Sequence, residues 1–265
     1  PRTPNPEPRT PNPEPRLGLV CWIICYTNFM RTLLVVPIIH TSADLGTLAN
    51  DVAKGCIAAC GENSWAQHKA DVATFWGMIA GYFETMAVAG MKIYQDGMIA
   101  DGALAQKIVG EGVTSGSLNY ELVARLLARG AVLIKTEDLA LVKQERDSIV
   151  ALTQAASIIR VVIALIKYKL VKHRLLHQRD AYIAARIDAT LGQDETGILF
   201  IGAYHAVTGN LARDITTRAV KDPQKVKEYQ QLLPSSAKHK VRFEALREYL
   251  RAPIQPPDPA VPTPQ

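Results

Sequence analysis

At 265 residues, of which 48% are hydrophobic and 21% charged, the chain is long and apolar enough to bury a sizeable core, and disorder over most of its length is excluded. A net charge of +5 and a pI near 9.0 raise nucleic acid as a partner. The basic residues come without an aromatic platform, a glycine-rich loop or a nucleic-acid motif, so that class is disfavoured. Two apolar stretches, residues 17–26 and 158–166, fall short of the about 20 residues that a membrane span needs.

The first seven residues recur unchanged at 8–14, and residues 253–265 hold six prolines. Proline lacks a backbone donor and both segments have little apolar surface to bury, so both are expected to be extended and unpacked. Arg16 and the apolar run after it have the outline of a signal peptide, but no small-residue cleavage site follows between Tyr26 and Arg31. Met30 shortly precedes the first convincing strand and reads as the native start. Residues 1–29 are therefore read as a disordered or non-native leader, 31–252 as a single domain and 253–265 as a proline-rich tail.

The first short apolar run covers residues 33–39. Thr41 or Ser42 is placed to cap a helix over 44–60, and Asn63 or Ser64 a second over 65–86. In the second, Val72, Phe75, Trp76, Ile79 and Phe83 recur at helical intervals. A strand at 91–94 ends in Gln95-Asp96-Gly97, a tight turn that glycine permits. Helices over 101–109 and 119–128 follow, the latter closed by Arg129-Gly130, and then a strand at 131–134.

No Gly or Pro interrupts residues 139–191, a stretch read as two antiparallel helices bending near 151–157. Within it, residues 158–166 are apolar apart from Arg160 and are expected to pack inside the protein or against a partner subunit, so a homo-oligomer is considered. A turn at 192–197 leads to a strand at 198–201. A last strand is expected at 215–220, and polar helices from Pro223 onward break at Pro234. Short Val- and Ile-rich runs separated by helices read as buried parallel strands. The expected fold class is α/β, a mostly parallel central sheet of about four to five strands flanked by helices, with a long helical hairpin insertion.

Four cysteines do not make a disulfide framework. Cys21 and Cys25 fall in the leader, and Cys56 and Cys60, four apart on one helix face, lack zinc-knuckle spacing. Buried free thiols in a reducing cytoplasm are the favoured reading, and a cytoplasmic location goes with it. The basic residues between Lys167 and Arg179 read as a solvated helix face. His173 and His177 have a spacing that could hold a metal, but neighbouring cations oppose one.

Ligands of open α/β sheets bind at the carboxyl ends of the strands. Four apolar runs end there on polar residues: His40 and Asp44, Gln95 and Asp96, Thr136 and Glu137, and His205. His40 and His205 lead, because imidazole ligates metals and exchanges protons near neutral pH; hydrogen-bonded structural histidines are the alternative. Gly202 lets the backbone approach a ligand closely. Glu137 is a metal ligand or a general base acting on water, or a helix cap with Thr136. Asp44 and Asp96 complete a ligand set for a divalent metal, or serve as a helix start and an Asx turn. Arg179 neutralises an anionic substrate or transition state, or forms a surface ion pair.

Two segments carry a family resemblance. Residues 178–191, beginning Gln178-Arg179-Asp180, followed by Gly197-Ile-Leu-Phe-Ile-Gly202-Ala-Tyr-His205, resemble the Arg-Asn helix and the Gly-x-x-His strand of the TraB, GumN and Tiki proteins. His40 and the segment ending in Glu137 fall in that grouping's order. Erythromycin esterases and the ChaN haem-binding proteins are similar more remotely. Across residues 31–220 the chain looks most like a set of uncharacterised prokaryotic proteins that share the Pro-Ile-Ile-His, Tyr-Gln-Asp-Gly and Gly-Ala-x-His segments. The resemblance implies an α/β fold and, in Tiki-like members, metal-dependent peptide-bond hydrolysis, and it carries onto His40, Glu137, Arg179 and His205. Pro37 replaces a usual glycine and Asp180 a usual asparagine.

The functional expectation is a metal-dependent hydrolase of a small-molecule or peptide substrate. Its divalent ion would be bound by His40, His205, Asp44 and Asp96, with Glu137 taking a proton from water and Arg179 stabilising developing charge. A non-catalytic small-ligand or haem-binding protein using the same cleft is the alternative.

Overall fold

A computed structural model describes residues 30–44, 49–153 and 158–255. Strands β1 (Arg31–Ile38), β2 (Lys92–Gln95), β3 (Val132–Ile134), β4 (Thr196–Gly202) and β5 (Ile215–Ala219) form one parallel sheet in the order β3-β2-β4-β1-β5. The helices are α1 (Ala49–Cys60), α2 (Glu62–Glu84), α3 (Gly102–Thr114), α4 (Leu118–Ala128), α5 (Leu139–Thr153), α6 (Ile158–Thr190), α7 (Pro223–Leu232) and α8 (Lys240–Arg251). The fold class is the α/β architecture expected from the sequence, and no helix of the described residues is long and apolar enough to cross a membrane.

Successive strand residues point to opposite faces, and both faces here are buried. Leu34, Val36, Ile38, Ile93, Ile198 and Phe200 join a core with α2, α4, α7 and α8, which includes Phe75, Ile79, Phe83, Leu122 and Tyr229. Leu33, Val35, Tyr94, Leu199 and Ile201 face a second core built on Ile183 and Ile187 of α6. Arg31 locks the start of β1, donating to Asp214 at 2.7 and 2.8 Å and to Asp188 at 2.6 Å.

Several local expectations are corrected. Instead of one helix from 44, Ser42–Asp44 form a 3-10 turn closed by the Asp44 N–H on the Thr41 carbonyl, and α1 spans Ala49–Cys60. Helix α2 starts earlier than Asn63 or Ser64 would cap it, with Gly61 at the N-cap in a left-handed conformation. The cap of α5 is Asp138, which accepts from the Ala140 and Leu141 N–H groups at 2.8 and 3.2 Å, and not Thr136 or Glu137. Cys56 and Cys60 are free thiols but only partly buried.

The long uninterrupted stretch divides into α5 and α6, which pack on each other; of residues 151–157, where the bend was expected, 151–153 are the end of α5 and 154–157 lie outside the described residues. The side chains of residues 158–166 also lie outside them, as does the leader 1–29. Of the proline-rich tail, 256–265 lie outside, whereas Ile254 is half-buried against the larger core and so is not unpacked.

Candidate functional site

The order of the sheet creates the site. Strand β4 is inserted between β2 and β1, so the ends of segments far apart in the chain meet, and ligands of such sheets bind at that edge. Ile38 of β1 pairs in register with Gly202 of β4. His40 and His205 therefore emerge two and three residues beyond a matched pair on neighbouring strands. Both line one cleft of about 460 Å³, together with Asp44, Gln95, Asp96, Asn119, Glu145, Arg179 and Gly202.

His205 is held from behind. Its Nδ1 donates to Asp180 Oδ1 at 2.6 Å, and the other oxygen of Asp180 accepts the Ala206 N–H at 2.9 Å. That fixes the ring and leaves Nε2 3.5 Å from Asp96 Oδ2. Burial disfavours the imidazolium, but the bond to Asp180 and the charge of Asp96 outweigh it, so the His205 pKa is raised above its ordinary value. His40, by contrast, is exposed.

Arg179 sits among carboxylates. It bonds Glu137, Asp96 (2.6 Å) and Glu145 with one guanidinium, whose planar fork suits several acceptors. Glu137 is fully buried, and burial pushes its pKa up to about 7 against the hydrogen bonds from Arg179. Burial would also raise Asp96, but His205, Arg179, His40 and the Gly202 N–H together hold it below the usual carboxylate range.

Asp96 is accordingly no Asx turn. The turn is closed by the Met98 N–H on the Gln95 carbonyl, with Gly97 at φ +80°. Asp96 Oδ2 instead accepts the Gly202 N–H at 3.1 Å. A Cβ on Gly202 would stand 3.2 Å from that oxygen and 3.5 Å from the His205 ring, so the small residue keeps the strand end close to both. Beside them Asn119 Nδ2 donates to Gln95 Oε1 at 3.0 Å, while Asn119 Oδ1 is buried without a partner among the described residues.

The structure brings His40, Asp44, Asp96, Arg179, Gly202 and His205 to one cleft, with Glu137 behind Arg179. It does not make Arg179 a surface ion pair, since its side chain, on α6, is buried against Asp96 and Glu137. His173, Arg174 and His177 are exposed, whereas the side chains of Lys167, Lys169 and Lys172 lie outside the described residues.

The donor set expected to hold a metal does not fit one as it stands. Both oxygens of Asp44 are engaged, Oδ2 by the Thr41 N–H (2.5 Å) and hydroxyl (2.8 Å) and Oδ1 by the Ser117 hydroxyl. Among the described residues no three His, Cys, Asp or Glu side chains are grouped to ligate an ion.

No known protein family, curated protein or solved structure matches the chain.

Sequence reasoning missed Asp180 as the partner of His205, although it adjoins Arg179, and it missed Glu145 and Asn119. Nothing in a helical stretch without a motif marks Glu145 as the residue that meets Arg179 across 34 positions.

Proposed function

We propose that the chain is a hydrolase of a small polar or peptide-like substrate, with His205 as the group that moves the proton. The observation that carries this reading is the fixed imidazole: Nδ1 is bound to Asp180 at 2.6 Å, and Nε2 lies beside Asp96 in a cleft wide enough for substrate and water. A ring held through one nitrogen presents the other in a defined direction, as proton transfer in a transition state requires. Asp96 would orient a water or a substrate hydroxyl next to Nε2. The charges of His205 and Arg179 hold Asp96 ionised, and Arg179, bonded to Glu137, Glu145 and Asp96, fixes that carboxylate in the cleft. His40, exposed at the same rim, would contact substrate.

Metal-dependent hydrolysis is the second reading, favoured by two imidazoles and Asp96 sharing one cleft. It requires His40 to turn inward, and Asp44 is no part of it. A non-catalytic binder of a small ligand or haem would use the same cleft without turnover.

A screen of ester, amide and phosphoester substrates tests the proposal, run on the untagged chain and on His40→Ala, with bound metal determined in both. Turnover that falls sharply in His40→Ala at unchanged melting temperature supports the hydrolase. Turnover that tracks bound metal moves the assignment to the second reading, and tight ligand retention without turnover to the binder.

A further inference from the structure

At the outer edge of the sheet, where β5 ends, a cavity of about 660 Å³ lies between the last turn of α2 and the residues that follow α8. Arg218 and Lys221 line it with Tyr82 and Tyr249, and among the described residues no aspartate or glutamate does. None of these residues belongs to the cleft that holds His205.

Lys221 is 4% exposed, and a lysine so buried ordinarily sits beside a carboxylate. Its Nζ donates instead to two carbonyls near the end of α8, Tyr249 at 2.9 Å and Ala252 at 2.7 Å. An ammonium has three donors; the third has no oxygen partner among the described residues, and the charge lies 4.9 Å from the centroid of the Tyr249 ring. Asp222, next in the chain, turns its Oδ1 to the Gln224 N–H at the start of α7. Burial without a counter-charge lowers the Lys221 pKa to about 8, a cost that an anion in the cavity would relieve.

Arg218 is exposed, acts electrostatically on Tyr82, and makes no side-chain hydrogen bond or ion pair among the described residues. Lys225, 4.2 Å above the Tyr249 ring, adds a third positive charge beside the cavity. Two cationic side chains facing a cavity whose wall holds no acid among the described residues are complementary to an anion, and a guanidinium can bind phosphate or carboxylate through two parallel hydrogen bonds.

We propose that this cavity binds a small molecule through a phosphate or carboxylate group, held by Arg218 and Lys221. The site is independent of the chemistry proposed for His205.

The test is titration of the full chain with inorganic phosphate and, separately, with acetate, followed by the backbone amide resonances of residues 218–222 and 249–254. Saturable shifts confined to those residues are expected, with Arg218→Ala weakening binding by about tenfold or more at unchanged melting temperature. Lys221→Met should weaken binding too, but it also removes a cap from α8, so Arg218→Ala decides. Response to both anions supports a shared carboxylate and phosphate grip, and response to phosphate alone narrows the class. Shifts scattered over the basic surface, or an affinity unchanged by Arg218→Ala, would overturn the proposal. Binding that appears only after residues 256–265 are deleted would also overturn it, because the chain's own tail would then be the occupant.

Discussion

His205 Nδ1 lies 2.6 Å from Asp180 Oδ1, joining the loop after β4 to α6 and aiming the opposite ring nitrogen at Asp96. Two carboxylates on either side of one buried imidazole favour its charged form, which raises its pKa in the folded chain. The stability this contributes is fully present below the ordinary histidine value and is lost as pH rises through the folded value.

Asp180→Asn removes the first of those carboxylates. The His205 resonances should titrate at lower pH than in the parent, and stability at pH 6 should fall by about 1.5–3 kcal/mol, the range for a hydrogen bond to a charged group. An unchanged His205 titration would show that the contact is not formed in solution.

Arg179→Met should be among the most damaging single changes, because it strands Glu137, Asp96 and Glu145 together. Removing one partner of a buried ion pair costs about 3–5 kcal/mol. Glu137 is fully buried, and Glu137→Gln in the same chain should restore part of the loss, so the two changes will not add. Strict additivity in denaturant unfolding would argue against the cluster.

His68 is 8% exposed; its Nδ1 bonds Tyr229 Oη at 2.9 Å, and burial lowers its pKa to about 4 against the opposing charge of Asp71. The unfolded chain binds the proton more readily, so the stability His68 contributes is present above about 6.5 and is lost as pH falls toward about 4. Glu137 acts oppositely: its raised value makes stability decline as pH climbs from the ordinary carboxylate range to about 7. Thermal melts between these limits should show a steeper acid loss in Glu137→Gln than in the parent and a shallower one in His68→Gln. Identical acid limbs in all three proteins would contradict both assignments.

Asp44→Ala tests a tether. The carboxylate holds Thr41 and Ser117, so its removal should cost about 1–2 kcal/mol through lost hydrogen bonds and a weakened α4 cap, with no change in any metal the chain carries. A loss of metal at unchanged stability would instead make Asp44 a ligand.

The strands were legible because short Val- and Ile-rich runs bounded by turn residues leave few alternatives, and their polar ends pointed to the edge where the cleft lies. Burial of Val72, Phe75, Trp76, Ile79 and Phe83 likewise follows from their helical spacing. Caps were less legible: Gly61 needs no side chain to start α2, and Asp138 took the role that Thr136 was equally suited to by type. The partners of the site residues were hidden for a topological reason. Asp96, Glu137, Glu145, Arg179, Asp180 and His205 meet only once β4 lies between β1 and β2, and spacing along the chain does not encode that order. Asp44 could be read as a ligand because its engagement by Ser117 spans 73 positions.

Proton transfer by His205 in the cleft is read out by kcat/KM of His205→Gln against the parent, on whichever substrate class the screen identifies and with melting temperatures taken alongside. A fall of about 10²–10⁴ is expected, as removal of a general acid or base gives, in a chain that still melts cooperatively. Turnover undiminished in folded His205→Gln would contradict it.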